Sequence, residues 1–280
     1  MNIEIIPVYE YLDQFIVEAE NKPAEINELW QKHAIEPFWS KLCEYSPIDL
    51  TERKPACIKN IESLKKQLQL LKKIDLNKLK EVFEKITNLL PNYDDDPIVI
   101  GLYPLGEENR MINEKQNGVI GTSLFGNNII AVNPMINEYE KWIPYVFAHE
   151  YHHTVLGNYW FNMHGGELGN EFINSLLIDG QADSFAMHLN PALRPQWLFS
   201  LSDEEIKILW ENNYKKLVFK DDVDYGKYMF GGDNIPWCAG YAVGYWLTQK
   251  YLQENTEKAF KEILEIKPIE ILKLINSLSI

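Results

Sequence analysis

The stretch YVFAHEYHHTVLG, residues 145–157, contains the pattern His-Glu-x-x-His as His149, Glu150 and His153. Residues four apart in an α-helix lie on one face, so the two imidazole rings can offer nitrogen ligands to one zinc ion. Glu150 follows His149 directly and lies within reach of a water molecule on that ion, where it can act as a general base. The stretch therefore predicts a zinc-binding catalytic helix.

A second interpretation of the same stretch stays open. A core helix can carry two histidines that hydrogen-bond to backbone groups and bind no metal. The surroundings favour the metal site, because a strand-rich segment directly precedes an apolar helix that Pro144, in its first turn, and Gly157, at its end, delimit. His152 projects in another direction and is predicted to be incidental.

A catalytic zinc ion needs a third protein ligand and an open position for water. The extended metzincin pattern would place a glycine three residues after the second histidine and a third histidine three residues further on. Leu156 and Tyr159 occupy those positions, and His164 lies too far along the chain. The third ligand is therefore predicted to come from another helix.

The segment SLLIDGQADSFA, residues 175–186, offers a candidate for that ligand. Asp179 and Asp183 share a helical face whose other residues are apolar: Phe172, Leu176, Ala182 and Ala186. A buried carboxylate is costly unless it is paired or metal-bound. Asp179 as ligand, with Asp183 accepting from the second N–H of a ligating histidine, would satisfy both groups. Helix capping or a structural salt bridge is the alternative. Gly180, costly in mid-helix, predicts close approach by a neighbouring backbone.

Together, AHEYHHTVL and LLIDGQADSFA resemble the bacterial predicted Zn-dependent proteases of gluzincin type, in which His-Glu-x-x-His precedes a helix with Glu-Gly-x-Ala-Asp/Glu. The resemblance covers about residues 97–250. It implies a zincin-like metallopeptidase fold and one zinc ion per chain, bound by His149, His153 and the carboxylate at position 179, with Glu150 as the catalytic base. Asp179 stands where the family has glutamate, so its side chain is one methylene shorter. Aspartate is a legitimate zinc ligand, and Gly180 would let the helices sit closer.

The segment CAGYAVGYW, residues 238–246, places Tyr241 and Tyr245 on one helical face, with Gly240 and Gly244 permitting close packing. Zinc hydrolysis needs a donor for the oxyanion that develops on the scissile carbonyl. The resembling family has a Gly-Tyr helix at a comparable place, which makes Tyr241 the first candidate for this donor. A helix that merely packs against the motif helix is the alternative.

Zincin-type peptidases hold their substrate as an added strand along a sheet edge, and the resemblance implies such an edge here. The segment GNNIIAVNP, immediately upstream of the motif helix, is the candidate. The substrate would then lie against Ile130, Ala131 and Val132.

The composition of the 280 residues excludes two classes of function. A formal net charge of −14 and a pI near 4.9 argue against a nucleic-acid binder and against electrostatic docking on anionic membranes. The three cysteines are widely spaced, which predicts reduced thiols. Because neither a signal peptide nor an apolar run of membrane-spanning length is recognisable, we expect a cytoplasmic location.

Hydrophobic periodicity predicts an α+β fold that is mostly helical. The first 90 residues read mainly as helix, with a break at residues 75–77. The segment IVIGLYPL reads as a buried strand, and GVIGTSLFG with NNIIAVNP as a β-hairpin. We therefore expect a helical region at residues 1–90 and a catalytic domain with a small mixed sheet at residues 91–280, unless the two are continuous.

The sequence thus predicts a zinc metallopeptidase that acts on a peptide or protein substrate, with Glu150 taking a proton from water and passing it to the leaving amine. Two alternatives remain. A catalytically inactive binding or regulatory module would fit the shortened Asp179, although a structural zinc site has no use for Glu150 as a base. Zinc-dependent hydrolysis of a non-peptide amide or ester would use the same residues.

Overall fold

The computed structural model describes residues 2–277, which are mostly helical and include a four-stranded mixed sheet, in agreement with the predicted α+β class. The strands are β1 (Ile3–Pro7), β2 (Ile98–Pro104), β3 (Val119–Leu124) and β4 (Asn127–Val132). Their order across the sheet is β1-β2-β4-β3. β1, β2 and β4 run parallel, and β3 is antiparallel to β4.

The α-helices are α1 (Asp13–Asn21), α2 (Ile26–Trp30), α3 (Glu36–Leu42), α4 (Ile61–Leu71), α5 (Leu76–Leu89), α6 (Arg110–Lys115), α7 (Tyr139–Gly157), α8 (Phe172–Leu189), α9 (Gln196–Phe199), α10 (Asp203–Leu209), α11 (Ala239–Glu254), α12 (Phe260–Leu264) and α13 (Pro268–Ser277). None of the helices within residues 2–277 combines the length and the apolar character needed to cross a membrane.

The chain forms two compact units, Met1–Val155 and Leu156–Ile280, and the division falls near the end of α7. The sequence predicts a boundary near residue 90, but β1, from before that position, pairs with β2, from after it. The strand β1 is also missing from the mainly helical prediction for residues 1–90. Its five residues show no period of their own, and a partner far along the chain makes them a strand.

The β3–β4 hairpin and the buried β2 confirm the predicted strands. Every residue of β2 and β4 is buried, and both are interior strands with a neighbour on each side. The prediction that β4 forms the edge of the sheet is wrong: Ile130 pairs with Leu102 on one side and with Gly121 on the other. A hairpin pattern does not reveal which of its strands gains a second partner, and here β2 takes the outer side of β4.

Two helix starts carry side-chain caps. The predicted break at residues 75–77 is confirmed, because the Asp75 side chain accepts from the backbone N–H groups of residues 77 and 78 at the start of α5. Ser202 and Glu205 form a capping box at the start of α10. The α-helix α7 ends at Gly157, as predicted. Gly157 keeps helical dihedrals (φ −61°, ψ −44°), and the chain continues from there as a π-helical segment, Asn158–Met163.

In the second unit, α8 and α11 cross in backbone contact at two glycines. A Cβ atom on Gly180 would overlap the carbonyl group of Gly244 and lie 2.8 Å from Oγ1 of Thr248. A Cβ on Gly244 would overlap the carbonyl oxygen of Leu176 and lie 2.9 Å from its carbon. The close approach predicted from Gly180 is therefore confirmed, and α11 is the helix that makes it.

Candidate metal centre

The motif helix α7 is buried along almost its whole second half. Between Tyr145 and Leu156 only His149 and His153 are partly exposed. Glu150 is buried, with 9% of its surface exposed. The other side chains hold the helix in the core of its unit. Phe147 stacks on Phe83, with ring centroids 3.9 Å apart, and the Tyr151 hydroxyl donates to the Leu90 carbonyl at 2.8 Å. The helix therefore presents its two motif histidines where a small ligand can reach them.

The two histidines direct the same ring atom toward one point. Their Nε2 atoms lie 3.0 Å apart, and the two rings are nearly perpendicular, at 86°. Two nitrogens bound to one tetrahedral zinc ion at its usual bond length would be about 3.3 Å apart. The observed separation of 3.0 Å is close to that spacing, and it is also the length of a hydrogen bond between the two rings.

Asp179 on α8 completes a group of three ligand atoms with this pair. One ring nitrogen from each of His149 and His153 and one carboxylate oxygen of Asp179 all lie within 4.8 Å of one another. Asp179 is 7% exposed, as the apolar face around it predicts. Two imidazole nitrogens and one carboxylate oxygen are the donor set of a catalytic zinc site with one open position. By donor type and by closeness, the three residues form a group that could hold a metal ion.

Asp183 is fully buried one turn after Asp179, again as predicted. Its Oδ1 atom accepts a hydrogen bond from the indole N–H of Trp197 at 3.3 Å. The role of Asp183 as acceptor for a ligating histidine stays a prediction. Ser184 fixes the same turn of α8, because its hydroxyl donates to the Gly180 carbonyl at 2.6 Å and accepts from the Gln249 amide at 2.9 Å.

Tyr241 lies in the first turn of α11, close enough to Asp179 and Asp183 for their charges to raise its pKa. Burial raises the pKa of the Tyr241 phenol well above its ordinary value, and the charges of Asp179, Tyr225 and Asp183 raise it further. The hydroxyl is therefore protonated at neutral pH and can donate a hydrogen bond. Burial and the charge of Asp183 also raise the pKa of Tyr245, which packs against Phe199 at a centroid distance of 5.8 Å.

Three features beside these residues were not foreseen from the sequence. Thr154 ties α7 to the hairpin, since its hydroxyl donates to the Gly126 carbonyl at 3.2 Å and accepts from the Asn128 amide at 3.4 Å. Half-exposed Phe230 packs against Tyr241 with ring centroids 5.7 Å apart. Gly121 on β3 lies against the Glu150 side chain. Thr154 directly follows the second motif histidine, so its hydroxyl could have been noticed in the sequence. The Phe230–Tyr241 and Gly121–Glu150 contacts join residues that are far apart in sequence and appear only in the folded chain.

Comparisons with known proteins agree with the donor set. A family profile described as "Predicted Zn-dependent protease (DUF2268)" matches residues 76–273. Among curated proteins, the chain is similar to the "Uncharacterized protein YjfC" of Bacillus subtilis (strain 168), with 24% identity over 290 aligned positions, covering 91% of this chain and 92% of that protein. No solved structure matches the chain.

Proposed function

The chain belongs to the family of predicted Zn-dependent proteases (DUF2268), and on that premise we propose that it is a zinc metallopeptidase. The observation that carries the proposal is the convergence of His149, His153 and Asp179, whose ligand atoms lie within 4.8 Å of one another. The gluzincin-like ligand set implied by the two motifs is the same three residues. Zinc is the proposed metal, one ion per chain, and peptides or proteins are the proposed substrates.

In this proposal the residues divide the chemistry among them. Zinc, when bound, supplies a Lewis acid that acidifies water and polarises a carbonyl oxygen. Glu150 takes a proton from the attacking water and delivers it to the leaving amine. Tyr241, held protonated by burial, donates a hydrogen bond to the oxyanion that develops on the scissile carbonyl. Asp183 holds the orientation of a ligating histidine.

The sheet offers a different substrate edge from the one expected, namely β3. In an antiparallel ladder, alternate residues turn their backbone groups toward and away from the partner strand. The Asn133 N–H donates to the Gly118 carbonyl, so with the observed register Val119, Gly121 and Ser123 turn their backbone groups away from β4. Outward backbone groups of this kind can pair with an extended peptide wherever the protein does not use them itself.

The Ser123 end of this edge is occupied by another part of the same unit. The Arg53 guanidinium donates to the Ser123 carbonyl at 2.6 Å. The Val119 N–H is engaged as well, since it donates to the Gln116 carbonyl at 3.3 Å. An added strand would therefore pair with the Val119 carbonyl and with Gly121, next to Glu150. We propose that the arrangement is zincin-like, because α7 lies beside a small mixed sheet that has such an edge. The substrate contacts that the sequence assigned to Ile130, Ala131 and Val132 on β4 are therefore proposed for β3 instead.

Cleavage of a peptide library, followed by mass spectrometry, tests the proposal. The zinc-loaded protein is expected to cleave, and Glu150→Gln is expected to bind zinc equally and to cleave at least 100-fold more slowly. A protein that binds zinc but cleaves no peptide would be the inactive binding module. Cleavage that Glu150→Gln leaves unchanged would remove Glu150 from the mechanism.

A further inference from the structure

Glu150 lies against the backbone of β3 at the one residue of that strand that has no side chain. A Cβ atom placed on Gly121 would lie 2.5 Å from Oε1 and 2.7 Å from Cδ of Glu150, and closer still to its Cγ. Atoms of ordinary proteins do not approach a Cβ that closely. The carboxylate of Glu150 therefore occupies the volume that any other residue at position 121 would fill.

The backbone conformation gives no other reason for a glycine here. Gly121 does not have a positive φ, and it pairs with Ile130 in the regular register of the hairpin. Glycine in a strand is unfavourable because it loses conformational entropy and packs no side chain. Space for a neighbouring group is the remaining physical reason, and the neighbouring group is Glu150.

We propose that Gly121 is a positioning residue that sets the location of the Glu150 carboxylate. This inference rests on the proposed function, because the consequence of displacing Glu150 depends on its role as the base. Glu150 is 9% exposed, so few alternative positions are open to its side chain. A methyl group at position 121 would push the carboxylate away from the strand edge, while His149 and His153 keep their places on α7.

The same residue also faces the proposed substrate edge. The backbone N–H and carbonyl of Gly121 turn away from β4, so a peptide added to β3 would pair with the residue against which Glu150 rests. Gly121 thereby sets the position of the Glu150 carboxylate relative to a peptide that pairs with β3. A shift of about 1 Å in such an arrangement is enough to lower a rate by roughly 100-fold.

A double-mutant cycle in thermal unfolding tests the contact without any need for activity. Gly121→Ala is expected to lower the Tm in the wild-type background by a few degrees and to have little effect in the Glu150→Ala background, where the added methyl has room. Gly157→Ala is the matched control, because a Cβ added there would meet no atom within 4 Å, and it should leave the Tm unchanged or raise it. An equal loss of Tm in both backgrounds would overturn the proposal.

Peptide hydrolysis then tests the consequence. Gly121→Ala is expected to bind one zinc ion, to keep KM within about threefold and to lose kcat by at least 10-fold, whereas Gly157→Ala keeps both constants. An unchanged kcat in Gly121→Ala would overturn the positioning role. If the wild-type protein hydrolyses no peptide and the unfolding cycle still shows the coupling, the proposed function fails while the contact between Gly121 and Glu150 stands.

Discussion

At the scale of single residues, the shorter side chain of Asp179 is the point on which the metal site depends. Asp179→Ala removes the only carboxylate in the group of three described ligand residues and is expected to lower zinc affinity at least 10-fold. Asp179→Asn, which keeps the shape but not the charge, should fall between the alanine variant and the wild type. Elemental analysis and chelator competition measure both. Asp222→Ala, an exposed aspartate of the same unit, is the control, and equal zinc affinity in Asp179→Ala would remove Asp179 from the site.

Phenylalanine variants of Tyr241 and Tyr245 test whether the Tyr241 hydroxyl is the oxyanion donor or whether both tyrosines only pack. Tyr241→Phe keeps the ring against Phe230 and removes the hydroxyl, so we expect kcat to fall by about 100- to 1,000-fold, the usual effect of losing one oxyanion donor. Zinc content should not change. Tyr245→Phe, one turn later on α11, should keep kcat within about threefold. Steady-state kinetics on a cleaved peptide measure both variants, and equal losses would assign the hydroxyl of Tyr241 a packing role.

At the scale of elements, the crossing of α8 and α11 depends on its two glycines. Helix propensity alone would make Gly180→Ala and Gly244→Ala stabilising by about 1 kcal/mol. The atoms that a new Cβ would meet are, however, mainly backbone carbonyl atoms, which cannot turn aside like the end of a side chain. We expect each variant to lower the free energy of unfolding by about 1–3 kcal/mol, as overpacking does. Urea unfolding measures this, and a gain in stability for either variant would mean that the helices separate without cost.

Some features of these elements could be predicted from the sequence, and others could not. The buried face of α8 could be predicted, because two aspartates among apolar residues at helical spacing are a local signal, and so could Gly180. The capping box at Ser202 and the hairpin are also local patterns. Sequence could not reveal β1 or the interior place of β4, because both depend on pairing with β2, which lies far away in sequence.

The contact between Gly121 and Glu150 could not be predicted from the sequence for a related reason. Gly121 has no special backbone conformation, so nothing in the strand distinguishes it until α7 lies against β3. Gly157 marks the end of the α-helix, as its composition predicts, but no local pattern reveals that the chain continues as a π-helical segment with Asn158 and Trp160 buried.

At the scale of the whole molecule, metal binding and folding should be coupled. A ligand that binds only the folded chain stabilises it by RT ln(1 + [L]/Kd), which is about 4 kcal/mol at a free concentration 1,000-fold above Kd. We therefore expect zinc to raise the Tm of the metal-free protein by several degrees, and a chelator to reverse the change. The second unit has a large cluster of buried apolar side chains, including Leu176 and Leu177 beside Asp179 on α8, so we expect that unit to stay folded without zinc at 25 °C.

The variants decide whether that coupling arises at the candidate centre. His153→Ala and Asp179→Ala should each reduce the zinc-dependent rise in Tm, by the equivalent of about 1.4 kcal/mol for every tenfold loss of affinity, since each removes one of the three ligand atoms. Glu150→Gln should keep the rise in full, because Glu150 supplies no ligand in the proposed site. Scanning calorimetry at a series of zinc concentrations measures all three against the wild type. A rise in Tm that is undiminished in both ligand variants would place the stabilising zinc elsewhere in the chain. A reduced rise in the ligand variants alone would show that the stabilising zinc ion is the one bound at the proposed catalytic site.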